Sequence, residues 1–161
     1  MISIRKCEPS DQKAIKKLIV KILNEEFPKE ALAFPLSDLE DISESYGKLG
    51  EAFFVAVSNG SVVGTVGIKR EDERTAMLRR LFVDSNHRRK RLGSQLVERA
   101  IEFCRDVGYD EIIFKTNSAM KSAIKLCEKK KFAPKAKLDL GPMQLVKFGL
   151  FLKGEALAPR K

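Results

Sequence analysis

Apolar positions along the chain recur in two rhythms, and the alternation between them sets the order of elements. Residues Ile2 to Lys6 read as a short strand. A helical rhythm follows, with Ile15, Leu18, Ile19, Ile22 and Leu23 on one face; Ser10 or Asp11 can cap it, and Pro28 ends it or closely follows its end. A second short helix is predicted after Pro35, where Ser37 and Glu40 have capping-box spacing and Leu39 and Ile42 share an inner face. Strand patterns then run over 52–57, 61–69 and 76–83, and Asn59-Gly60 joins the first two as a tight hairpin. A helix from Leu92 to Val107 stops at Gly108; a strand over 111–116, a helix over 119–130 and a final hairpin with Gly141-Pro142 in its connection complete the pattern. The order is strand, two helices, three strands, helix, strand, helix, two strands. It predicts one α/β domain over 1–153 followed by a loose tail, 154–161.

Charge changes the picture at one place. The 161 residues include 31 Lys and Arg against 22 Asp and Glu, a formal charge of +9, which favours an anionic partner. The densest basic run, His87 to Arg91, sits between an apolar strand and a helix start. A helix N-terminus presents unsatisfied N–H groups and the positive end of the macrodipole, so this junction suits a phosphate. Gly93 permits close approach to the backbone, and Ser94 adds a hydroxyl. On charge alone a solvated basic loop or a nucleic-acid patch explains the run equally well.

Other classes recede. No stretch has the length and apolarity of a signal peptide or a membrane span. Three scattered cysteines and one histidine give neither a disulfide framework nor a metal site, and a reducing cytoplasm is expected.

The unit from Leu81 to Phe132 resembles the GNAT superfamily of N-acetyltransferases, and the likeness extends over nearly the whole chain. The family's acetyl-CoA loop, Q/R-x-x-G-x-G/A, corresponds to Arg88-Arg89-Lys90-Arg91-Leu92-Gly93, with Arg91 in place of the first glycine. A later A-I-x-L-Y-x-K-x-G-F pattern corresponds to Ala123 to Phe132, with Cys127 in place of tyrosine and Lys131 in place of glycine. The resemblance implies a mixed, mostly antiparallel sheet with helices on both faces. It implies acetyl-CoA as cosubstrate, without a metal, and direct transfer of acetyl to a primary amine of a small molecule or peptide. A non-catalytic acyl-CoA sensor of the same fold is the alternative, nucleic acid ranks last as a partner, and a homodimer stays open.

The same resemblance implies site residues. Backbone N–H groups from Arg89 to Ser94 would cradle the pyrophosphate, and Arg91 would add charge if its φ is ordinary. A bulged, splayed strand would fall at Leu81-Phe82-Val83, and the Val83 N–H would face the thioester carbonyl. Asn117 and Thr116 would bind pantetheine amides or simply cap a helix. Cys127 would be a general acid or a buried core thiol. No carboxylate sits on the 77–83 strand, where Arg79 and Arg80 stand instead. The acidic run Glu25, Glu26, Glu30, Asp38, Glu40, Asp41 and Glu44 would attract a cationic amine, with Glu26 as candidate base and Tyr46 beside it at the cleft.

Overall fold

In the computed structural model, which describes residues 2–28, 35–88, 90–141 and 143–152, the strands form one seven-stranded sheet. Glu30, Arg89, Pro142 and the tail 154–161 therefore lie outside the described residues. Strand β1 is Ile2–Lys6, β2 Ala52–Ser58, β3 Ser61–Arg70, β4 Thr75–Val83, β5 Glu111–Asn117, β6 Ala133–Leu140 and β7 Met143–Phe151. Helix α1 is Gln12–Glu26, α2 the single turn Ile42–Ser45, α3 Leu92–Val107 and α4 Lys121–Lys129. The sheet order is β1-β2-β3-β4-β5-β7-β6; every neighbouring pair is antiparallel except β4 and β5.

Period-two alternation divides the core. Phe53 and Val55 pack with Ile15, Ile19 and Leu23 of α1 and with Leu39, Ile42 and Tyr46. Ala52, Phe54 and Ala56 point to the other face, where Leu92, Leu96, Val97 and Ala100 of α3 cover them. Asn59 and Gly60 both have positive φ, 50° and 80°, as a tight hairpin turn requires. The expected second helix is instead two short pieces: a 3₁₀ turn over Ser37–Leu39 and then α2, which Asp41 caps by accepting the Glu44 N–H at 3.1 Å. The capping box at Ser37 and Glu40 does not form, because the Glu40 carboxylate pairs with Lys16 at 2.7 Å. The inner face is as expected, with Leu39 and Ile42 buried. Helix α4 starts at Lys121, two residues later than its pattern, because Asn117 first closes a turn by accepting the Ala119 N–H.

Two departures position the site. Parallel pairing of β4 with β5 stops at the Leu78–Phe114 rung, after which β5 continues only with β7 and β4 only with β3. The two strands therefore part in mid-sheet. On its other side β4 slips against β3: Thr65 pairs with Phe82 and Gly67 with Arg79, so Arg80 and Leu81 together oppose Val66. The bulge centres on Arg80, whose φ is +53°, and not on Leu81 to Val83.

Candidate active site

Where β4 and β5 part, a cleft of about 320 Å³ opens between residues 77–82 and 114–117, floored by Met120 and Ala123. Backbone direction along β4 decides which groups face it. Asp84 donates its N–H to Val63 O on β3 at 2.8 Å, so Phe82, two residues back, also faces β3. Leu81 and Val83 alternate with these and turn their N–H and C=O groups to the open side. An unpaired strand edge of this kind can take an extended ligand by added-strand hydrogen bonding.

The bulge is held from three directions. Thr65 donates its hydroxyl to Arg80 O at 2.8 Å. The Arg80 guanidinium donates to both oxygens of Asp38, at 2.6 and 3.0 Å, and to Pro35 O at 2.9 Å. Tyr46 donates to the same carboxylate at 2.6 Å. Gly67 makes room for this arrangement, since a Cβ there would stand 2.8 Å from the Tyr46 ring. Burial alone would raise Asp38, but the bonds from Arg80 and Tyr46 outweigh it and the carboxyl lies below the usual range. Burial, and then donation to Asp38, push the Tyr46 phenol upward, so it stays protonated. Tyr46 is 4% exposed and does not line the cleft, contrary to expectation.

The basic loop runs from β4 into α3 beside the cleft. Arg88 donates to both carboxylate oxygens of Glu26 at the end of α1, at 2.6 and 2.8 Å, and to Val83 O at 3.0 and 3.2 Å. His87 Nδ1 lies 3.0 Å from Asp84. These contacts tie the loop to the protein, and Lys90 and Arg91 beside them are exposed. Arg91 sits at the N-cap of α3 with φ +61°, a left-handed conformation, so the condition of an ordinary φ is not met. Its side chain makes no cap bond, so the N–H groups of Leu92, Gly93 and Ser94 point out of the first turn without intrahelical partners. Gly93 has ordinary φ; what it avoids is contact, because a Cβ there would meet Leu126 Cδ2 at 3.3 Å. Lys131 occupies a second left-handed position, φ +72°, so both motif positions where a side chain replaces glycine keep the glycine-like backbone.

Cys127 is 3% exposed within the α3 core and is not part of the cleft wall. Burial pushes its thiol up to about 12. Asn117 lines the cleft but spends its side-chain oxygen on the turn before α4. The acidic run is largely consumed: Glu26 by Arg88, Asp38 by Arg80, Glu40 by Lys16 and Asp41 by its helix cap.

Residues 17–132 match the model of the acetyltransferase (GNAT) family. The chain belongs to that family. Human N-acetyltransferase 8 is 41% identical over 96 residues, covering 56% of this chain and 42% of the relative. The Danio rerio N-acetylaspartate synthetase is 40% identical over 94 residues, covering 57% and 33%. The chain thus spans less than half the length of these curated relatives. Among solved structures, a GNAT acetyltransferase from Staphylococcus aureus Mu50 superposes with a TM-score of 0.83 at 25% identity, covering 95% of this chain and all of the other. The structure of yncA from Salmonella typhimurium with its cofactor acetyl-CoA has the same fold, with a TM-score of 0.78 at 21% identity, covering 99% and 98%. Among the described residues, no helix is long and apolar enough to cross a membrane.

Proposed function

We propose that this GNAT-family chain transfers the acetyl group of acetyl-CoA directly to a primary amine. The observation that carries this is the parting of β4 from β5 beyond the Leu78–Phe114 rung, with the N–H groups of Leu81 and Val83 turned away from β3 and leading to the free N–H groups of Leu92, Gly93 and Ser94. The residues fit the cosubstrate. The α3 N–H groups, with Lys90 and Arg91 nearby, suit a pyrophosphate, and the β4 edge suits the amides of a pantetheine arm. The Val83 N–H, with that of Leu81 one pleat deeper, would donate to the thioester oxygen as it gains charge.

In the reaction the acceptor ammonium first loses a proton to water. The neutral amine then forms the C–N bond as the C–S bond breaks, the electron pair leaves on sulfur, and the second amine proton is given up to the thiolate through solvent. Of the two roles open to Cys127 it takes that of core thiol, and Glu26 takes a role other than the base. Cys127 is a core thiol: at about 12 it is a weaker acid than the CoA thiol it would have to protonate. Glu26 positions the loop through Arg88, since both its oxygens already accept hydrogen bonds.

Release of CoA thiol from acetyl-CoA over a panel of amines tests the proposal. Saturable, acceptor-dependent release with intersecting initial-rate lines supports direct transfer; parallel ping-pong lines contradict it. Acetyl-CoA binding without release to any acceptor would favour the non-catalytic sensor.

A further inference from the structure

The cleft also carries cationic side chains, and they lie on the α1 face of the sheet. The step beyond the last β4–β5 rung brings Arg79 on β4 and Lys115 on β5 to the cleft. Leu78 and Phe114 pack into the α3 core. Strand alternation therefore projects Arg79 and Lys115 to the opposite face. Lys115 in turn pairs with Lys147 across the β5–β7 rung. Three cations thus stand in a row across three neighbouring strands, on one face.

Like charges directly opposed on adjacent strands destabilise a sheet. Among the described residues none of the three forms an ion pair, and no Asp or Glu lines the cleft. The carboxylate close enough to interact with Arg79, that of Asp38, is held by Arg80 and Tyr46. Arg79 and Lys115 line the cleft, and Lys147 stands beside Lys115 on the next strand.

We propose that the Arg79–Lys115–Lys147 row binds the carboxylate of the acceptor, so that the acceptor is an amino acid and not a simple amine. This rests on the acetyltransferase function above and adds the substrate class. It reverses the expectation of a cationic amine drawn by acidic residues. It also accounts for a cleft without a carboxylate base: cations beside the acceptor disfavour its ammonium form and lower the cost of giving that proton to water.

Matched pairs that differ only in the carboxylate test the proposal: tyrosine against tyramine, histidine against histamine, ornithine against putrescine. The acid of a pair should react with kcat/KM about tenfold or more above its amine, as a charge-assisted contact predicts. Arg79→Ala and Lys115→Ala should each erase most of that preference, through KM for the amino acid, while calorimetric binding of acetyl-CoA stays as in the unaltered protein. Equal or better use of the decarboxylated amines overturns the inference. If no pair turns over, binding of N-acetyltyrosine against N-acetyltyramine to the CoA-loaded protein reads the same preference. Tighter binding of the acid supports the row, and equal binding overturns it. Failure of the unaltered protein to bind acetyl-CoA at all instead removes the acetyltransferase function on which the inference stands.

Discussion

Arg80 grips Asp38 across 42 residues of sequence, and does so from a left-handed backbone position in the middle of a strand. A non-glycine residue at φ +53° is strained by roughly 1–3 kcal/mol unless its surroundings over-determine it. The bidentate pair, the Tyr46 hydroxyl and the Thr65 bond do so here. The segment before α2 thereby fixes the bulge that turns Leu81 toward the cleft.

Breaking this pair should hurt folding and catalysis together. Asp38 and Arg80 side chains are 12% and 9% exposed, so Asp38→Ala leaves a guanidinium buried without its anion. A loss of about 3 kcal/mol is expected in urea unfolding. The folded fraction should also show a lower kcat, because the bulge loses its anchor. Arg80→Gly relieves the φ strain but strands Asp38, so it should not restore stability.

Glu26→Gln separates a positioning residue from a base. The Glu26–Arg88 pair is partly exposed, with side chains at 29% and 41%, so the stability cost should stay below about 1 kcal/mol. The KM for acetyl-CoA should rise a few fold as the loop loosens, and the pH–rate profile should keep its shape. Loss of the acidic limb of that profile, where a carboxylate base would become protonated, would restore Glu26 as the base.

Cys127→Ala should retain turnover at every pH and lose about 1–2 kcal/mol of stability from the small cavity. In the folded protein Cys104 and Cys127 should react with a thiol reagent far more slowly than Cys7, because both are buried and both are pushed up to about 12 by burial.

Stability should fall at both pH extremes. The Asp38 carboxyl is lower in the folded state than its unfolded value of about 3.9, so the stability it contributes is complete above that value and is lost as pH falls through the folded value. The Asp11 carboxyl acts in the same sense, held down chiefly by Arg5. Cys104 and Cys127 act oppositely: the unfolded thiols ionise from about pH 8.5 while the folded ones hold their protons toward 12, so stability declines above about pH 8.5. Urea midpoints measured from about pH 3 to 10 should therefore form a plateau with two falling shoulders.

Much of the frame was legible because it is local. The α1 stripe, the Asn59-Gly60 turn and the Leu92 to Gly108 helix each carry their signal within a few residues, and each forms where its pattern places it. The loop motif likewise survives the loss of a glycine, since Arg91 adopts the backbone that glycine would have. What was not legible is non-local. The parting of β4 from β5 depends on which strand each pairs with after Leu78 and Phe114, and periodicity does not encode partners. Arg79-Arg80 inside an apolar strand was a visible anomaly, but period two cannot place both until the bulge at Arg80 shifts the register. The acidic run looked like an attractant for amines because charge counts do not reveal that Arg80, Arg88 and Lys16 already occupy it.

On the proposed function, acetyl-CoA lies along the open edge of β4 with its phosphates at the start of α3. Amide ¹H–¹⁵N spectra recorded during titration with acetyl-CoA address it residue by residue. Saturable shifts should concentrate at Leu81, Val83, Leu92, Gly93 and Ser94. Unmoved amides at these positions, or shifts centred on the lysine-rich face of α1 around Lys13, Lys17 and Lys21, would contradict it.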